Sequence, residues 1–205
     1  MDPSPERRLR SSIARIAELT NERPAAGVVH DDADGEAGTI ASDDAAGFDP
    51  LPVLRALGEH GAPAIVMGQV AGILHGSTEL TGDLDLLWSG EPADSGRMAA
   101  AFVAMRAELF DDTRAPVSDA ATAFALPKVL FRTATASGDC CTPRLNWGDL
   151  DITGFLSRAE STPIEGILVR YLALEDLIAM RRTTPRPKDL RRLKELEELA
   201  RGIRR

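Results

Sequence analysis

The chain has 205 residues, 43% of them hydrophobic and 27% charged, the composition of one globular domain with an appended segment. Aromatic residues are only 4%, too few for a single-strand nucleic-acid platform of stacked rings; no run approaches the ~18 apolar residues that span a bilayer, and the opening MDPSPERRLR has no apolar stretch behind it, so a cytoplasmic protein without an ordinary signal peptide is expected. The net charge of -8 is concentrated: Asp31, Asp32, Asp34, Glu36, Asp43, Asp44 and Asp49 fall between Pro24 and Pro50 without a Lys or Arg, whereas the stretch from Arg181 to Arg205 is rich in cations that can attract polyphosphate or RNA or simply form a solvated helix.

In chain order, Leu9, Ile13, Ile16 and Leu19 are spaced for a short amphipathic helix over residues 6–20. Residues 23–47 are mostly small or acidic, a composition that predicts a flexible acidic linker, so residues 1–47 are expected to form an N-terminal helix and linker and residues 48–205 the folded domain. Residues 51–60 read as a helix, 63–67 as a buried strand, 69–75 as a brief helix closed by Gly76, and 83–88 as a second strand. A helix is predicted over 94–109, then strands over 129–136, 145–153 and 167–174. Helices over 174–182 and 188–201 are separated by Pro185 and Pro187. The pattern predicts an α+β domain, a short mixed sheet flanked by helices with two more helices at the C-terminus. Cys140 and Cys141 are adjacent; a bridge wants Cα atoms ~5.5 Å apart and a peptide holds them at ~3.8 Å, so two reduced thiols in or beside a strand are expected and no zinc site.

The informative segment is MGQVAGILHGSTELTGDLDLLW, residues 67–88. Strand alternation puts Asp83 and Asp85 on one face, ~6.6 Å apart along the axis. Two carboxylates there repel unless a hard cation such as Mg²⁺ lies between them, and a pair of such ions can clamp the attacking and leaving oxygens of phosphoryl transfer. His75, alone before a glycine, reads as a packed or capping residue rather than a base, and His30 and His60 suggest no pair.

Gly68, Ala71, His75 and Gly76, followed by Thr81 and Asp83-Leu84-Asp85, resemble the nucleotidyltransferase superfamily with its polymerase-beta-like fold, and in particular the branch of the AbiEii-type toxins. Trp147-Gly148-Asp149-Leu150-Asp151 looks like the strand that brings the third metal carboxylate, and Arg186-Pro187-Lys188-Asp189 like the turn of the branch's closing helices. The resemblance spans residues 48–200. It implies an Mg²⁺-dependent nucleotidyltransferase, with two ions, that moves a nucleoside monophosphate from an NTP to an RNA (tRNA) or protein hydroxyl, as the toxin of a toxin–antitoxin pair with an antitoxin partner. Asp83 and Asp85 would bind metal and triphosphate. Asp151, in preference to Asp149, would complete the metal site and help activate the acceptor. Gly68, Gln69 and Thr81 would lie along the nucleotide, Arg186 and Lys188 would neutralise its phosphates, and Asp189 would hold one of those cations.

Gln69 stands where relatives carry Gly or Ser and would crowd the phosphates if aimed at them. Glu79 replaces a common Arg. These two departures motivate the alternative, a non-catalytic nucleotide- or partner-binding protein on the same fold. An antibiotic-modifying transferase is a third reading.

Overall fold

The computed structural model describes residues 3–30, 38–184 and 186–202. Ser4 caps helix α1 (Pro5–Thr20), accepting from the Arg7 amide at 3.3 Å, and the apolar spacing buries Leu9 and Ile16. Helix α2 (Leu51–Glu59) follows, then strand β1 (Ile65–Val66), helix α3 (Gly68–His75) and strand β2 (Leu84–Leu87). Helix α4 (Pro92–Ala104), strand β3 (Glu108–Phe110), the single turn α5 (Ala120–Ala123) and strands β4 (Lys128–Arg132) and β5 (Ser137–Cys141) make the middle. Helix α6 (Ile152–Arg158), strands β6 (Glu160–Ile164) and β7 (Ile167–Tyr171), and helices α7 (Leu174–Arg182) and α8 (Pro187–Ala200) complete the order.

The strands form one mixed sheet in the order β3-β4-β5-β2-β1-β7-β6. The pairs β2–β5 and β1–β7 are parallel, and the remaining neighbours are antiparallel. The expected α+β class is what the chain adopts. Helices α1, α3, α7 and α8 pack in succession, and α2, α4 and α5 form a second group. Leu84, Leu86 and Leu87 are fully buried in β2, as a central strand covered on both faces requires. Beside them Trp88, Phe102, Phe124 and Phe131 make tilted and edge-to-face contacts at 5.0–6.0 Å, the geometry that aromatic quadrupoles favour. Among the described residues no helix is long and apolar enough to cross a membrane.

Several local expectations need correction. The helix predicted over 94–109 stops at Ala104, where Arg106 enters the left-handed region (φ 54) and the Ala107 amide reaches back to Phe102 O at 3.0 Å, a C-terminal closure that frees residues 108–110 to become β3. The strand predicted over 145–153 does not exist. There the indole of Trp147 donates to Thr142 O at 2.9 Å, Asn146 Oδ1 accepts from the Gly148 amide, and Asp151 caps α6; turn-forming side chains satisfy the backbone locally and outweigh the apolar alternation. Strands β5 and β6 fall outside the strand ranges predicted from the sequence, although Cys140 and Cys141 are expected in or beside a strand. Cys140 and Cys141 are buried, unbridged thiols within β5.

The expected linker is also corrected in part. The acidic residues Asp31, Asp32, Asp34 and Glu36 lie outside the described residues. Residues 38–47 fold as two 3-10 turns, Thr39–Ala41 and Asp43–Ala45, and bury Thr39, Ser42 and Ala45. Arg23 donates to Ile40 O at 2.8 Å and to Ser42 O, while the Asp43 carboxylate accepts from the Ala26 and Gly27 amides at 3.1 and 2.8 Å. Small side chains leave little area to bury, but they let this strap come very close to its support. A Cβ on Gly82 would meet Ala45 Cβ at 2.4 Å and Thr39 O at 2.7 Å.

Candidate functional site

Two sequence-legible features meet at the start of β2. Gly68 opens α3 with φ +61, and a Cβ there would lie 1.8 Å from Asp85 Oδ2, so glycine is required both by conformation and by space. The α3 N-terminus has no side-chain cap, which leaves first-turn amides beside the carboxylates. Asp83, just ahead of the strand, is buried. Its Oδ1 accepts from the hydroxyls of Thr39 (2.7 Å) and Thr81, and His30 Nδ1 lies 3.9 Å from Oδ2.

The third carboxylate is Asp139. The parallel β2–β5 register sets Asp85 directly opposite Asp139, so both side chains leave the same face of the sheet. Lys128 Nζ contacts Asp139 Oδ2 at 2.7 Å, and Cys141 Sγ approaches Oδ1 at 3.3 Å. The charges that act on Asp85 are Asp83, Asp139, Arg181 and Lys128. Close packing around its carboxyl, and then the neighbouring Asp83 and Asp139 charges, push its pKa well above the usual carboxylate range. Asp151 takes no part in this group. It accepts from the Gly154 amide at 2.9 Å as the cap of α6 and lies 3.7 Å from Arg158, with its side chain 69% exposed; Asp149 is likewise exposed in the preceding turn. The expectation that Asp151 brings the third carboxylate is thus overturned by the turn that replaces its predicted strand.

The C-terminal helices bring further cations, of which Arg181 acts on Asp85 and Arg192 on Asp83. Asp189, fully buried, accepts from Arg181 and from Arg186 Nε at 2.6 Å. Arg181, Lys188 and Arg192 are all buried as well, with Arg192 donating to Leu80 O at 2.9 Å. Burial, reinforced by Arg192, lowers the pKa of Lys188 to about 8. Burial and Arg181 lower that of Arg192, while Asp83 and Glu79 oppose the shift. Among the described residues, Arg181 Nε and Arg192 Nε have no hydrogen-bond partner. Excess positive charge enclosed this way suits an anionic ligand.

The remaining expected nucleotide contacts face inward. Gln69 is 2% exposed; its Nε2 donates to Ser77 Oγ at 2.8 Å and to Glu79 O at 2.9 Å, so it does not project into the turn and crowds nothing there. Thr81 is buried on Asp83 and acts as a support. His75 is packed: its Nε2 is 2.8 Å from Leu172 O and its ring lies edge-on to Tyr171 at 5.0 Å.

A cavity of about 330 Å³ opens onto Asp85 and Asp139 on the β3–β4 side, walled by Phe110, Arg114, Lys128 and Arg132. Oxygen-only donors fit a hard divalent cation, and the unfavourable crowding at Asp85 is what such a cation would relieve. Among the described residues no three His, Cys, Asp or Glu side chains already stand at ligating distances, so binding would require Asp139 to leave Lys128 in part. No protein-family model and no curated protein matches the chain.

Proposed function

We propose that the chain is an Mg²⁺-dependent nucleotidyltransferase that joins a nucleoside monophosphate from an NTP to a hydroxyl acceptor. The observation that carries this reading is the cross-strand register that pairs Asp85 with Asp139 beside Asp83 and the Gly68 turn. Asp83, Asp85 and Asp139 would hold magnesium, which when bound neutralises carboxylate and phosphate charge and makes the acceptor hydroxyl more acidic. The uncapped amides of α3 orient phosphate oxygens at the turn. Arg181, Lys188 and Arg192 offset the charge of the triphosphate and of the departing pyrophosphate, while Asp189 keeps Arg181 and Arg186 in position. The acceptor oxygen bonds to the α-phosphorus, the bond to the bridging oxygen of pyrophosphate breaks, and the hydroxyl proton passes to a carboxylate and then to water. Thr39 and Thr81 fix the Asp83 carboxylate throughout.

The role of a toxin neutralised by an antitoxin remains part of this proposal through the sequence resemblance alone. Incubating the protein with each labelled NTP, Mg²⁺ and total RNA or cell protein tests the chemistry. Transfer that disappears in Asp85→Asn and Asp139→Asn but persists in Asp151→Ala supports the assignment. Equal loss in Asp151→Ala, or persistence in Asp139→Asn, sinks it. Nucleotide binding with no transfer to any acceptor selects the non-catalytic reading.

A further inference from the structure

Residues 38–46 lie over both kinds of group that the proposed site uses. Thr39 donates to Asp83 Oδ1 at 2.7 Å and accepts from the Gly82 amide at 3.0 Å. One residue earlier, Gly38 rests on the cations: a Cβ added there would stand 3.3 Å from Arg192 Nη2 and 3.7 Å from Lys188 Cδ. The other carboxylate oxygen of Asp83 faces His30 Nδ1 at 3.9 Å. Asp83, Lys188 and Arg192 are no more than 8% exposed, although in the proposed reaction a metal ion or a phosphate must reach all three.

This segment is held differently from the core. Its fully buried side chains are small, Thr39, Ser42 and Ala45, and Ile40 is only half-buried. The ties are polar and lie near the surface. Arg23 donates to Ile40 O at 2.8 Å and to Ser42 O, the Asp43 amide donates to Val28 O at 2.9 Å, and the Asp43 carboxylate accepts from the Ala26 and Gly27 amides. Water can take over each of these bonds, and a segment with few buried apolar contacts opens at a fraction of the cost of global unfolding. Next in the chain, Gly47 is exposed with φ +71, and a Cβ there would meet nothing within 4 Å. Such a position can absorb the backbone rotation of a hinge.

We propose that residues 38–46 are a lid, hinged at Gly47, that lifts to uncover Lys188 and Arg192 and settles back with Thr39 on Asp83. The identity of what enters, a polyphosphate, rests on the proposed function; the lid itself rests on the packing. Fixed in place, the segment would seal Lys188 and Arg192 from any phosphate. Lifted, it exposes them together, because Gly38 covers both, and its return restores the Thr39 bond that holds the Asp83 carboxylate.

Acetylation of the full chain by N-hydroxysuccinimidyl acetate, read by peptide mass spectrometry, measures how often Lys188 is uncovered. Lys194, exposed on the same helix, is the internal reference. Arg23→Ala removes a tie and should speed labelling of Lys188 relative to Lys194 about tenfold, the shift that loss of a charge-assisted hydrogen bond gives. Gly82→Ala acts as a wedge, since its Cβ would overlap Ala45 Cβ and Thr39 O, and should speed it at least several-fold. Arg10→Ala removes an exposed cation paired with Glu165 and should leave the ratio unchanged. In the wild type, amides of residues 38–46 should exchange with deuterium through an opening indifferent to low urea, unlike those of β2 and β5. A ratio unchanged in both Arg23→Ala and Gly82→Ala, a ratio that moves equally in Arg10→Ala, or a segment that exchanges only together with the core overturns the lid. Should neither lid variant fold, the wild-type exchange decides alone. Tripolyphosphate with Mg²⁺ should slow labelling of Lys188 and not of Lys194. Labelling that responds to the lid variants but not to tripolyphosphate removes the phosphate-transfer reading while the lid stands; NTP transfer with labelling indifferent to both variants keeps the enzyme and removes the lid.

Discussion

Replacing Thr39 with valine keeps the shape of a buried side chain and removes its hydroxyl. In the wild type this one oxygen donates to Asp83 Oδ1 at 2.7 Å, accepts from the Gly82 amide at 3.0 Å and touches Thr81 Oγ1 at 2.8 Å. The two threonine hydroxyls carry two protons between them, and with both directed at Asp83 the Thr39–Thr81 contact carries none. Thr39→Val therefore removes one charge-assisted hydrogen bond, ~1.5–3 kcal/mol, and strands a buried amide, ~1–3 kcal/mol. Relaxation makes the two losses less than additive, so the expected cost is about 2–4 kcal/mol. Urea unfolding followed by the fluorescence of Trp88 and Trp147 measures it. Thr39→Ser restores both bonds and should recover most of the loss, giving up only the methyl group. A Thr39→Val protein within about 0.5 kcal/mol of wild type, the ordinary range for surface changes, would mean that residues 38–45 rest on the domain without holding Asp83.

Asp85→Asn removes a carboxyl whose charge is opposed by close packing and by Asp83 and Asp139, so the metal-free protein should lose no stability and gain some, a trade-off common at functional sites; if the proposed function holds, Mg²⁺ should raise the melting temperature of the wild type and not of the variant, and differential scanning fluorimetry reads both. Gly68→Ala combines a left-handed backbone, worth ~1–2 kcal/mol, with a clash against Asp85 at 1.8 Å; chemical denaturation should show a loss of at least about 2 kcal/mol, and a smaller loss would mean the turn can reopen cheaply. Lys188 holds its proton less tightly when folded, with a pKa near about 8 against 10.5 for the free side chain. The unfolded chain binds the extra proton between those values, so wild-type stability should rise relative to Lys188→Met as pH increases from about 8 to 10.5; a flat difference across that window removes the buried ammonium from the account.

How much of this is legible in the sequence depends on range. The Gly68 turn and the Asp83–Asp85 pair are local: the turn stands where its conformation puts it, and the two carboxylates are neighbours, although Asp83 lies just ahead of the strand Leu84–Leu87 rather than within it. Asp139 sits in Ser137-Gly138-Asp139-Cys140-Cys141, a stretch with little strand propensity that pairs only because β2 and β4 flank it. Its partnership with Asp85 spans more than fifty positions, and no spacing rule reaches that far. Asp149-Leu150-Asp151 repeats the appearance of Asp83-Leu84-Asp85, yet the Asn and Gly just before it favour a turn. Composition likewise misleads over residues 38–47. The small, acidic side chains there limit how much apolar area the segment can bury, but they say nothing of whether Arg23, Asp43 and Thr39 will satisfy the backbone at particular points.

If the proposed function holds, the cations near Asp83 and Asp85 explain how a chain of net charge -8 would accept an anionic substrate. Screening at physiological ionic strength limits exposed charges to a reach of ~8 Å, so what a phosphate meets near the carboxylates is set by the cations close by. Those cations differ in kind. Arg181, Lys188 and Arg192 are each less than one-tenth exposed, Arg181 is paired with Asp189, and Arg181 and Arg192 repel each other, so on the proposed function an anion that penetrates would relieve that repulsion. Arg114 and Arg132 are exposed where they line the cavity beside Asp139, so keeping their charge there costs little. If the proposed function holds, a triphosphate should raise the stability of the fold, because it relieves a charge conflict already present in the protein.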